Sequence, residues 1–311
     1  MTVYLLELAE RLARGLANYP AEARDRHAAF VQSVRQPDGG YRGRDGDSDL
    51  YYTSFALRSL AMLDRLRGQT GQTGPTADYL AGFDPLSLDV IDLMNWLASV
   101  LAIQAAGGRD LVGDDASRLA DGVVTRLATH RCDDGGFGKT PGDRTGSMYA
   151  SFLATLAHQL VGRDVPDAER LVAFILDRQR DDGGFVEIAP MRRSGTNPTA
   201  AAAAMLRIFG RQRRVHPDDL RDFFADVRTE GGLAANTRVP LADGLSTFTG
   251  LLTDVDWSLG VLAPGAVRGF VAEQLERPEG GFHAAGWDNT PDVEYTFYGL
   301  GCLALANAVA G

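Results

Sequence analysis

The chain alternates between two kinds of helical stretch. One is amphipathic: between Asp167 and Arg180, the apolar Leu171, Phe174 and Ile175, with Arg178, fall at helical spacing among charged residues. The other is apolar on nearly all sides, as in Asp49-Leu-Tyr-Tyr-Thr-Ser-Phe-Ala-Leu-Arg-Ser-Leu60 and Asp292-Val-Glu-Tyr-Thr-Phe-Tyr-Gly-Leu-Gly-Cys-Leu303. No stretch shows the period-two alternation of a strand. Between each amphipathic stretch and the apolar one after it stands a Gly-Gly pair followed by an aromatic residue or Leu, then a polar loop of about ten residues.

These pairs keep a ruler. They occur at Gly39-Gly40-Tyr41, Gly135-Gly136-Phe137, Gly183-Gly184-Phe185, Gly231-Gly232-Leu233 and Gly280-Gly281-Phe282, with first glycines 96, 48, 48 and 49 residues apart. The gap of 96 is two periods, so one unit has lost its pair near residue 87. Six units of outer amphipathic helix and inner apolar helix result. Ordinary repeats at both ends, without polar caps, predict an all-α fold: a closed α6/α6 toroid of six hairpins over 22–311. Residues 1–21 precede the first unit, and the stripe of Leu5, Leu8, Leu12 and Leu16 predicts an extra helix packed on the barrel. In the second unit, Gly68-Gln-Thr-Gly-Gln-Thr-Gly-Pro75 reads as a flexible linker before a short outer helix.

Composition narrows the classes. With 45% hydrophobic and 23% charged residues the 311-residue chain is neither disordered nor membrane-spanning. Two cysteines, Cys132 and Cys302, cannot form a disulfide scaffold, and a net charge of -10 argues against nucleic acid. The N-terminal residues lack the charged region and the apolar run of a signal peptide, so a cytoplasmic location is expected.

Closure would gather the six inner N-termini at one mouth. Asp49, Asp89, Thr145, Asp243 and Asp292 share one repeat position there, with Gly195 or Thr196 in the fourth unit; any of these aspartates also makes a good N-cap. Aligned helix dipoles favour an anion at such a mouth. The loops that open onto it carry seven basic residues (Arg42, Arg44, Lys139, Arg144, Arg192, Arg193, Arg238) against five acids (Asp45, Asp47, Asp143, Glu187, Asp288), a local excess of two in an acidic protein. Guanidinium groups suit phosphate oxygens. Of these, Arg42, Arg44, Lys139, Arg192, Arg193 and Arg238 are the candidate diphosphate contacts. Aromatic residues on the inner helices, Tyr52, Trp96, Tyr149, Phe248, Phe297 and Tyr298, are candidates to line a central cavity or to pack as core. Such faces attract a cation.

The Arg180-Asp-Asp-Gly-Gly-Phe185 and Arg131-Cys-Asp-Asp-Gly-Gly-Phe137 units, repeated with Tyr-Thr-x-x-Gly-Leu-type helices, resemble the prenyltransferase and squalene-cyclase repeat over roughly 22–311. The resemblance implies an isoprenoid or prenyl diphosphate ligand and two possible chemistries. The protein prenyltransferase β subunit holds zinc with Asp-x-Cys and a His. Here Asp243 remains, but Leu245 and Tyr295 stand at the other two places, so no metal and no cofactor are expected. The protonation-initiated terpene cyclases carry an acid motif that Pro291-Asp-Val-Glu-Tyr-Thr296 resembles. It implies Asp292 as first acid and Glu294 as proton donor, with Tyr295 departing from the pattern. Asp292, Glu294, Tyr295, Asp243 and Asp49 are therefore the catalytic candidates. A metal-independent cyclase or related prenyl-processing enzyme is the leading expectation. A non-catalytic lipid- or partner-binding relative, with a partner subunit or second barrel, is the alternative. A glycosidase using Asp243 and Glu294 is a third, and needs two carboxylates across the cavity.

Overall fold

The computed structural model describes residues 3–68, 70–229 and 231–308. Thirteen α-helices account for most of them: α1 (Tyr4–Gly15), α2 (Ala21–Ser33), α3 (Leu50–Met62), α4 (Thr70–Ala81), α5 (Val90–Ala105), α6 (Ala116–Ala128), α7 (Met148–Leu160), α8 (Ala168–Asp177), α9 (Thr196–Ile208), α10 (Pro217–Asp226), α11 (Gly244–Trp257), α12 (Pro264–Phe270) and α13 (Val293–Ala308). A single π turn, Val271–Leu275, extends α12. Among the described residues β-structure is confined to isolated bridges.

The apolar helices α3, α5, α7, α9, α11 and α13 pack each on the next, and α13 returns to α3. The inner ring is closed. The amphipathic helices α2, α4, α6, α8, α10 and α12 alternate with them along the chain. In α8 the stripe foreseen from spacing is buried: Leu171, Phe174, Ile175 and Arg178 all face inward. Arg178 tolerates this because its guanidinium pairs with Asp134 at 2.5 Å and lies 4.4 Å from the Phe174 ring centre.

The glycine ruler has a packing cause. Gly183 adopts φ +81° and its α-carbon lies against the backbone carbonyl of Asp219 in α10, the outer helix of the following unit. Gly184 lies against the Phe223 ring of the same helix. The contact recurs around the ring: Gly135-Gly136 meet Arg170 and Phe174 of α8, and Gly280-Gly281 meet Arg26 and Phe30 of α2, so the last unit locks onto the first. The unit without a pair uses the reverse arrangement, its Leu86 packing on Gly122 of α6.

The residue after each pair is fully buried, and its backbone N–H is held by a hydroxyl of the following inner helix. Tyr41 donates to Thr53, Phe137 to Ser151, Phe185 to Thr199, Leu233 to Thr247 and Phe282 to Thr296, at 2.8–3.1 Å. This pin fixes each Gly-Gly loop to the barrel. Thr199→Val keeps the shape but leaves the Phe185 N–H buried without an acceptor, which costs about 1–3 kcal/mol. The expected result is a lower urea midpoint at unchanged slope, restored by Thr199→Ser.

Two local readings need correction. The stretch expected to be a flexible linker is helix α4, starting at Thr70 and passing through Pro75. Its buried Thr73, Thr76, Ala77 and Leu80 follow helical spacing, and burial of that face overrides the glycines and proline. In the third unit the cap of α7 is Ser147, which accepts from the Ala150 N–H, and not Thr145.

Helix α1 lies across the barrel end opposite the Gly-Gly loops. It meets the C-terminal ends of four inner helices: Tyr4 N–H donates to Gln159 of α7, Glu7 pairs with Arg207 of α9, Arg11 pairs with Asp256 of α11 at 2.6 Å, and Asn307 of α13 donates to the Gly15 carbonyl.

Candidate active site

The aspartates at the mouth are caps. Asp49 accepts from the Tyr51 and Tyr52 N–H groups, Asp89 from Ile91 and Asp92, Asp243 from Ser246, and Asp292 from Tyr295. Asp243 also accepts the Ser246 hydroxyl, and Asp49 is exposed. Neighbouring loops supply further acceptors. Met148, Thr196 and Gly244 donate to the carbonyls of Glu187, Ala235 and Ala284, each in the loop of the following unit. The dipole ends expected to hold an anion are therefore largely occupied by the protein itself.

The basic loop residues do not form one cluster. Arg44 is committed to acids, contacting Asp288 through both terminal nitrogens and Asp292 through Nε at 3.1 Å. This corrects its reading as a diphosphate contact. Arg193 donates to Thr237, Arg42 is half-buried, and Lys139, Arg192 and Arg238 point to solvent from separate loops. Large apolar side chains share that rim: Ile188, Met191, Leu241 and Trp287 are exposed there.

Below the rim the inner ring carries an acid. Glu294 sits in the first turn of α13, half-buried. The Tyr51 hydroxyl donates to its Oε1 at 2.7 Å, and the Tyr298 phenol lies near enough to favour the charged carboxylate. Removal from water raises its pKa above the usual glutamate value, Asp292 adds to the rise, and the two phenols and Arg58 oppose it. Asp292 is raised too, by burial first, against its backbone hydrogen bonds and Arg44. Desolvation leads in both. Glu294 can therefore hold a proton where an exposed glutamate would not, whereas Asp292 is tied up as cap and ion-pair partner. Tyr295, the residue that departs from the acid motif, lies near Arg44, 5.7 Å between its ring centre and the guanidinium carbon, and its own pKa is pushed up to about 12 by burial and by Glu294.

Rings surround Glu294. Tyr51 meets Phe55 at 4.8 Å between ring centres, Phe55 meets Phe297 at 5.4 Å, and Phe248 meets Phe297 and Tyr298 at 5.4 and 5.5 Å. The Tyr149 phenol adjoins that of Tyr51. Of the six aromatic candidates Trp96 is misplaced: its indole N–H donates to the Leu80 carbonyl of outer helix α4, so it faces away from the lumen. Tyr52 stands at the rim against Gly43.

Two residues of this site were not foreseen. Tyr51 was one aromatic among many, and its role depends on α13 lying beside α3. Arg58 is the one charged residue within α3. It follows Tyr51 and Phe55 at helical spacing, and that break in an apolar stripe was the available signal. Its guanidinium carbon lies 4.3 and 4.6 Å from the centres of the Phe55 and Phe297 rings. Among the described residues no three His, Cys, Asp or Glu side chains converge as a metal site. Cys132 is buried, and burial with three nearby aspartates pushes its thiol up to about 11.

A sequence profile of the prenyltransferase alpha-alpha toroid domain matches residues 2–310. Among curated proteins no sequence matches. Solved structures share the fold at low identity. A Candida albicans protein geranylgeranyltransferase-I complexed with GGPP is 15% identical, with 91% of this chain and 90% of that one covered and a TM-score of 0.67. A Scytonema type II terpene cyclase in complex with geranylgeranyl dihydroxybenzoate is 13% identical, with coverage of 98% and 99% and a TM-score of 0.62. An alpha-1,6-mannanase of Salegentibacter in complex with alpha-1,6-mannotriose is 14% identical, with coverage of 94% and 99% and a TM-score of 0.61. One fold thus serves isoprenoid and sugar ligands, and the site must decide between them.

Proposed function

We propose that this chain, which belongs to the prenyltransferase alpha-alpha toroid family, is an isoprenoid-binding enzyme that starts cyclisation of a prenyl chain by protonation. The observation that carries the reading is Glu294: a desolvated carboxyl, next to Asp292, set among aromatic rings in the barrel lumen. The Glu294 O–H would give its proton to a terminal alkene carbon. The π pair forms the new C–H bond and leaves a tertiary cation, which the next alkene traps as a ring bond. Loss of a proton from the product side then restores neutrality. The carboxylate left behind accepts more strongly from its phenol donor Tyr51, is favoured by the nearby Tyr298 phenol and lies in the field of Arg58. Phe248 and Tyr149 are the faces available to shield positive charge, since Arg58 already occupies Phe55 and Phe297.

The likeness to the type II terpene cyclase supports this chemistry, and the likeness to the geranylgeranyltransferase supports an isoprenoid ligand. A glycosidase is less well supported, because Asp243 is engaged as a cap and the apolar walls offer a sugar few hydrogen bonds. A non-catalytic lipid-binding relative is the second reading. The packing of the lumen rings on one another favours it. Incubation with farnesyl or geranylgeranyl diphosphate, with a chelator present and products identified by mass spectrometry, separates these. A cyclised product that retains its diphosphate is expected. Substrate retained by the protein unchanged supports the second reading, and released inorganic diphosphate contradicts the first.

A further inference from the structure

The barrel has an apolar cavity of about 650 Å³, a volume suited to a small ligand, at the end opposite the Gly-Gly loops. Helix α1 packs chiefly on α13 and also touches α3 and α7, and the cavity lies between it and the ends of α3 and α5. Leu5, Leu8 and Leu12 of α1 face Met62 of α3 and Leu101 and Ala102 of α5 across it. Leu6, 49% exposed, stands at its edge. At the inner end are Phe297 and the Arg58 side chain.

Arg58 is unusual in this setting. Its Nε donates to the Ser54 carbonyl at 3.3 Å, and its plane lies over two phenylalanine rings. Among the described residues no carboxylate comes within ion-pair distance. Glu294 acts on it only through space, from beyond the phenols of Tyr51, Tyr149 and Tyr298. A guanidinium stays charged at any ordinary pH, and this half-buried one has no counter-ion beside it to offset its partial loss of water. The terminal nitrogens therefore present one positive charge, with free donors, to the closed end of an alkyl-walled space.

We propose that this cavity binds a single-chain amphiphile with a monoanionic head, a fatty-acid-type carboxylate, head inward on Arg58 and tail running out between α1 and α5. A carboxylate matches the guanidinium in charge and in its fork of donors. A diphosphate brings more negative charge than one arginine balances. At the rim Arg24 is committed to the carbonyls of Leu16, Ala17 and Tyr19, and Arg14 and Arg67 are exposed to water, which screens their pull on the head. The cavity meets the proposed reaction site at Arg58 and Phe297, so the proposal is read by binding of the amphiphile and not by turnover.

Displacement of a fluorescent dansyl-labelled undecanoate from the full chain tests it. Oleate should compete at least tenfold better than oleyl alcohol, and inorganic phosphate should not compete. Arg58→Gln should bring oleate to the level of the alcohol, and Ala102→Trp, which fills the cavity, should abolish probe binding while leaving the thermal melt in place. Absence of saturable probe binding, equal affinity for acid and alcohol, or farnesyl diphosphate outcompeting oleate overturns the proposal. So does probe binding unchanged by Ala102→Trp, a result that stands even if Arg58→Gln does not fold.

Discussion

Glu294→Gln is expected to lower turnover of a prenyl diphosphate by about 10²–10⁴-fold, the usual contribution of a positioned general acid. The amide has the shape of the carboxyl and keeps an oxygen for the Tyr51 hydroxyl, now 2.7 Å from Oε1. It has no acidic proton, so the fall should appear in kcat while substrate retention stays close to that of the parent. A capping or purely structural glutamate would behave differently, losing stability and leaving kcat unchanged. Full turnover by the variant would sink the mechanism.

The same substitution has an opposite effect on stability, and pH separates the two. The Glu294 pKa is raised in the folded chain, chiefly by desolvation, so the folded state binds this proton more readily than the unfolded state. The stability it contributes is complete below the unfolded value near 4.5 and is lost as pH rises through the folded value. Glutamine mimics the protonated form throughout. The variant should therefore melt with the parent at acid pH and above it at neutral pH. Loss of activity with gain of stability is the pattern expected of a group held in an unfavourable state for function.

The barrel was legible in the sequence because each unit satisfies its own local rules. The stripe of α8 and the aspartate caps depend on residues a few positions apart, each Gly-Gly turn is itself local and only repeats at the period, and all appear as read. Failures occurred where a distant surface decides. Gly71, Gly74 and Pro75 argue locally for a linker, yet Thr76 donates to the Gly39 carbonyl and the segment winds as α4 against the barrel. Trp96 carries the helical phase of a lumen aromatic only if the inner face of α5 is known, and Leu80 holds it on the other side. The charge count at the mouth left out the capping Asp292, which together with Asp288 takes up Arg44. Glu294 could be picked out by its motif. Arg58 left a signal, the break in the apolar stripe of α3, but its place near Glu294 and the pairing of Tyr51 with Glu294 could not be read, since α3 and α13 are joined only by ring closure.

Gly183→Ala is expected to cost more than about 3 kcal/mol, a large share of the 5–15 kcal/mol by which domains are normally stable. Two effects combine. At φ +81° an L-residue pays roughly 1–2 kcal/mol for the left-handed conformation. The new methyl would also stand 2.1 Å from the Asp219 carbonyl oxygen, so the loop must leave α10 and open the contact between adjacent units. Gly46→Ala provides the reference. Gly46 has φ +89°, but a methyl group there would meet nothing within 4 Å, so it carries the first effect without the second. Urea unfolding should show a midpoint shift at least twice as large for Gly183→Ala as for Gly46→Ala. Equal shifts would mean that the glycines are kept for turn geometry alone. A larger one places the reason for the 48-residue period between units, in the approach of each loop to the next outer helix, and that approach is what closes the ring.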